Sequence, residues 1–182
     1  MVDPDDIPRI VTDAARLVRQ GVIVLFGSSA LAYWLDDPPR TRDVDLWCEP
    51  PEQGEIVEAL MGELSWYDEK HGAYVEVWAQ ETFAAPLGWR ERARVLTFDE
   101  LPDVSVIVPH PHDVLLAKLG RFDESDRDHA DRVLAQYPLD EQQLGQLAAS
   151  SPYRTGGIVE PDRRARFEFA LKQLSAMVRR RS

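Results

Sequence analysis

Six residues, GVIVLF at positions 21–26, constrain this chain more than any others. The run is short, rich in β-branched side chains and free of charge, so it reads as a strand buried on both faces. Such a strand needs cover above and below, and the flanking segments supply it. Residues 5–19 set Ile7, Ile10, Val11, Ala14, Leu17 and Val18 at helical spacing, with acidic residues first and Arg19 near the end. Residues 28–36 read as a helix stopped by Asp36-Asp37-Pro38-Pro39. DVDLW at 43–47 alternates, with Asp43, Asp45 and Trp47 on one face and Val44 and Leu46 on the other, as in a half-buried strand. Behind Pro50-Pro51, residues 51–64 form a second amphipathic helix carrying Ile56, Val57, Leu60, Met61 and Leu64. SWYDEK and AYVEVWA read as antiparallel strands joined at His71-Gly72, and ARVLTF and VSVIV as a further hairpin or a pair of edge strands around DELPD.

From Pro111 onward the pattern is helical: PHDVLLAKLGRF, SDRDHADRVLAQY, DEQQLGQLAAS and residues 161–180, with PYRTGGIV at 152–159 as the clearest linker. The expected fold is α+β, a mixed sheet flanked by helices over residues 1–109 and a helical C-terminal region over 110–182 packed on that core. A chain of 182 residues suits one domain with a small helical appendage. Cys48 is the single cysteine, the first twenty residues carry no basic then apolar leader, and charges interrupt every apolar stretch. A cytoplasmic protein without a membrane span is expected. The net charge of −11 opposes loose binding to polyanions, so an RNA partner would have to meet a local basic patch. The C-terminal segment with Arg163, Arg164, Arg166, Lys172, Arg179, Arg180 and Arg181 offers one, or is simply a solvated helix face.

Chemistry concentrates in VLFGSSALAYWLDDPPRTRDVDL, residues 24–46. A glycine directly after a buried strand, then a serine and a helix, lets the backbone approach a ligand and turns free N–H groups toward it. Phosphate is the natural guest, although Ser28 is equally an ordinary helix cap. Asp43 and Asp45 share a strand face with Cα atoms about 6.5–7 Å apart. Two carboxylates so placed are either solvated at a sheet edge or bridged by a cation, for which hard oxygens suit Mg²⁺. Glu76 stands between Val75 and Val77, an expensive place for a charge unless it is paired, faces a metal or turns to solvent at an edge. His110 and His112 lack spaced Cys or His partners and do not make a zinc site. Ser28 and Ser29 lack a nucleophile elbow.

The order of these features resembles the signature of the DNA polymerase β-like nucleotidyltransferase superfamily, most closely its abortive-infection-type toxin branch. Gly27, Ser28, Ser29, Ala30, Leu31, Arg40, Thr41, Asp43, Asp45 and Leu46 match in register, and Pro111, Asp113, Lys118, Leu119, Arg127, Asp128 and Asp131 give a looser echo. The resemblance implies a catalytic and metal-binding set of Asp43, Asp45 and Glu76 with Mg²⁺ or Mn²⁺. It also implies phosphate contacts from Gly27, Ser28, Ser29, Arg40, Thr41 and Lys118; family members often carry aspartate where Glu76 stands. The implied reaction moves NMP from a nucleoside triphosphate to a hydroxyl on an RNA 3′ end, including tRNA, or on a protein. The toxin of a toxin–antitoxin pair, with a cognate partner, is the implied setting. An adenylylating antitoxin and a non-catalytic scaffold of the same fold are the alternatives.

Overall fold

The computed structural model describes residues 1–181. The chain divides into two compact units, one built from Met1–Thr82 and Arg92–Pro109, the other from Phe83–Glu91 and the residues from His110 onward.

The first unit is the sheet. Its helix α1 (Ile7–Leu17) buries Ile7, Ile10, Val11, Ala14 and Ala15, the stripe its apolar spacing demands. Strand β1 (Gly21–Leu25) follows, with Ile23, Val24 and Leu25 fully buried. After it the expected helix over 28–36 is a five-residue 3₁₀ turn, Ser29–Tyr33. So short a turn has almost no aligned peptide dipoles to add together, and any anion there must be held by individual N–H groups. Strand β2 (Val44–Glu49) and helix α2 (Glu52–Met61) come next. SWYDEK is a helix, α3 (Trp66–His71), where a strand was expected. Ser65 caps it by accepting the Asp68 N–H, and Gly72 ends it at φ +62°, so local capping outweighs the strand preference of Trp66 and Tyr67. The strand after it, β3 (Val75–Val77), therefore runs parallel to β2 instead of forming a hairpin with SWYDEK.

Helix α4 (Trp89–Arg92) leads to strands β4 (Arg94–Phe98) and β5 (Leu101–Val108), which pair antiparallel as the hairpin of the two expectations, and of these two strands only β4 lies at the sheet edge. The sheet order is β3-β2-β1-β5-β4, with β1 antiparallel to β2 and parallel to β5. The fold is mixed α+β, a five-stranded mixed sheet flanked by helices, as expected.

The second unit is helical: α5 (Pro111–Lys118), α6 (Glu124–Gln136), α7 (Glu141–Ala149), the single turn α8 (Pro152–Thr155) and α9 (Pro161–Arg181). Asp123 and Asp140 each start a helix with a reciprocal capping box. The core gathers Leu115, Leu116, Leu119, Val133, Leu144, Phe167 and Leu174, and the Phe167 ring stacks on Tyr153 at 4.6 Å between centroids. No helix among the described residues is long and apolar enough to cross a membrane. Phe167 is fully buried, so Phe167→Ala is expected to cost about 3–5 kcal/mol of folding free energy. Urea denaturation followed by circular dichroism checks this, the transition midpoint falling while the slope is kept.

Candidate functional site

The site begins where β1 ends. Leu25 stands opposite Leu46, and the Phe26 N–H carries the ladder one step further to the Asp45 carbonyl at 3.0 Å. Gly27, the next residue, therefore sits against Asp45. Its φ is +64°, a conformation that favours glycine, and a Cβ built there would fall on Asp45 Oδ2.

On its other side β2 meets β3, with Val44 opposite Val75 and Asp45 opposite Glu76. Strand alternation then puts Asp43, Asp45 and Glu76 on one face. Each offers a carboxylate oxygen, and these oxygens all lie within 4.8 Å of one another. All three side chains are half-buried. Burial, followed by the charges of Asp43 and Asp45 and a hydrogen bond with Asp43, holds the Glu76 carboxyl above its ordinary range. Three hard oxygen donors that repel one another are the donor set a small divalent cation such as Mg²⁺ or Mn²⁺ satisfies.

Two aromatic residues, which sequence reasoning did not single out, steady this set. Trp78 Nε1 donates to Asp45 Oδ1 at 3.0 Å, and the Tyr74 hydroxyl donates to Asp43 Oδ2 at 3.4 Å. A signal for both was present: residues 74, 76 and 78 alternate onto the face of Glu76. The backbone holds them there, since Val44 N–H bonds to the Tyr74 carbonyl and Trp78 N–H to the Leu46 carbonyl. Arg42 lies nearby, ion-paired with Glu63 at 3.4 Å.

The residues expected at phosphate divide into several groups. Ser28 and Thr41 share a hydrogen bond of 3.3 Å between their hydroxyls. The buried Ser29 hydroxyl donates to the Phe26 carbonyl at 2.8 Å, which commits it to the turn. Arg40 is exposed and reaches Asp3 at 3.1 Å. Lys118 belongs to the second unit, where its ammonium meets Asp126 Oδ1 at 2.8 Å. Arg121 adds two hydrogen bonds to the same carboxylate and the Asp123 N–H a third. Burial alone would push the Asp126 carboxyl up, but the Arg121 hydrogen bonds and the Lys118 charge outweigh it and hold the group below its ordinary range. Asp126 was missed because the sequence echo lay two residues further on, at Asp128, and at Asp131, which pair at the surface with Arg132 and Arg181.

Over residues 6–179 the chain matches the family described as nucleotidyltransferase of unknown function (DUF6036), and it belongs to that family. No curated protein and no solved structure matches it.

Because Glu76 binds its proton more tightly in the folded chain than in the unfolded one, stability should fall as pH rises through the window above the ordinary carboxylate value. In EDTA, Glu76→Gln should therefore melt higher than the parent at neutral pH, with the gap closing as pH falls toward about 4. Added Mn²⁺ should reverse the order by stabilising only the parent. Melting curves with and without the cation test this, and equal curves in EDTA would contradict the repulsion.

Proposed function

We propose that this member of the nucleotidyltransferase family transfers a nucleoside monophosphate from a nucleoside triphosphate to a hydroxyl acceptor. Asp43, Asp45 and Glu76 would hold one or two Mg²⁺ or Mn²⁺ ions. The observation that carries the reading is the meeting of three carboxylates on one sheet face with a glycine turn pressed against them. Acid clusters are common at surfaces, but a bare backbone approach beside one is what a phosphate-bearing substrate needs.

Bound there, a divalent cation supplies electrostatic stabilisation of charge on the transferring phosphoryl group. The chain's own residues do the rest. Gly27 lets the turn close onto the Asp45 carboxylate, and Ser28 and Thr41 present hydroxyls next to the turn. Arg40, a solvent-exposed cation, would neutralise charge on the departing pyrophosphate. Glu76, beside the cation, accepts the proton of the attacking hydroxyl. The acceptor is an RNA 3′ end or a protein hydroxyl, and the setting is a cytoplasmic toxin–antitoxin pair with a cognate partner. One rival has observations behind it: a scaffold that keeps the fold without turnover would explain why the Ser29 hydroxyl and the Lys118 ammonium are engaged within the protein.

Incubating the full chain with each α-labelled nucleoside triphosphate, Mg²⁺ and a total cell extract tests the reading. A labelled product is expected from the parent, and Asp45→Asn should lower its rate by about 10²-fold or more. Calorimetry should find metal-dependent nucleotide binding that Asp43→Ala removes. No binding with either cation would leave the scaffold.

A further inference from the structure

Resting on that reading, we propose that the acceptor is a protein, and within it a hydroxyl-bearing side chain set among lysines or arginines. The strand order carries the first step. From β1 through β2 to β3, the Gly27-Ser28 turn flanks the carboxylates on one side and Glu76 on the other. With phosphates on the β1 side, a nucleophile in line with the leaving group enters from the β3 side.

A cavity of about 230 Å³ opens there, bounded by Asp43 and Glu76 at the candidate centre and by Arg42, Tyr74, Glu58 and Glu63 around them. Its size carries the second step. Pockets that enclose whole small ligands run from about 300 Å³ upward, so this one suits a single side chain of a larger molecule lying across the surface.

Charge carries the third. Once Asp43 and Glu76 are given over to a cation, Glu58 and Glu63 face the one guanidinium of Arg42, which Glu63 already engages at 3.4 Å. Helix α2 adds Glu52 and Glu55 and no basic residue. An RNA 3′ end would bring its own phosphates against these carboxylates without the cations that normally replace its counterions. Lysines or arginines beside a serine, threonine or tyrosine complement them instead. The hydroxyl oxygen bonds to the α-phosphorus, and the bond from that phosphorus to the bridging oxygen breaks with its electron pair leaving on pyrophosphate. The hydroxyl proton passes through Glu76 to solvent.

Fluorescence anisotropy on the full chain with Mg²⁺ tests the assignment. The probes are a labelled serine peptide flanked by arginines, the same peptide flanked by glutamates, and a short RNA with a free 3′ hydroxyl. The basic peptide is expected to bind, the acidic peptide and the RNA not to compete, and Glu58→Gln with Glu63→Gln to weaken binding by about tenfold. Both glutamates are exposed, and an unchanged circular dichroism spectrum shows the double variant folded. Equal binding by the double variant, or displacement of the peptide by RNA, overturns the proposal. Label from an α-labelled triphosphate appearing on RNA also overturns it while leaving nucleotidyl transfer standing. A peptide that binds through Glu58 and Glu63 yet takes label from no triphosphate overturns nucleotidyl transfer and keeps the pocket's preference.

Discussion

Mutual repulsion of Asp43, Asp45 and Glu76 is the interaction around which the first unit is arranged. Left to themselves, three carboxylates with oxygens inside 4.8 Å would part. They are held by the β2–β3 ladder, which sets Asp45 opposite Glu76, and by a helix layer whose buried Val57 and Met61 face the sheet side of α2. Trp78 and Tyr74 then each give one hydrogen to one aspartate. Such a cluster is compatible with a bound divalent cation, which would offset the repulsion.

The second unit solves the opposite problem. One of its buried carboxylates, Asp126, is surrounded by donors: Lys118, Arg121 and the Asp123 N–H. A buried charge of that kind is tolerated because its lone pairs are filled, and it ties the end of α5 to the start of α6. His129, one turn further along α6, is buried, and burial followed by the nearby Lys118 charge pulls its pKa down. The Lys118 ammonium thus has a structural duty whatever else it contacts.

Much of the local architecture was legible from spacing. The buried strand at Gly21–Leu25, the alternation of Val44, Asp45 and Leu46, the stripe of Ile7, Ile10, Val11 and Ala14 and the helices after Pro111 all follow periods that neighbouring residues set among themselves. Two segments read differently for equally local reasons. Trp66 and Tyr67 suggested a strand, but Ser65 and Asp68 form a helix cap, and Ser29–Tyr33 winds as a 3₁₀ turn where a longer helix was expected. The parallel pairing of β3 with β2 was hidden because nothing within AYVEVWA states its partner.

By itself the sequence determined which residues could carry charge chemistry and on which face of its own strand each would lie, because a strand's two-residue period is a property of its own backbone. Only the tertiary structure decided that Glu76 stands opposite Asp45, that Gly27 presses on the same carboxylate, that Tyr74 and Trp78 steady the pair and that Lys118 answers to Asp126. Each of these joins segments far apart along the chain, and such contacts are set by strand register and packing, which no local pattern encodes.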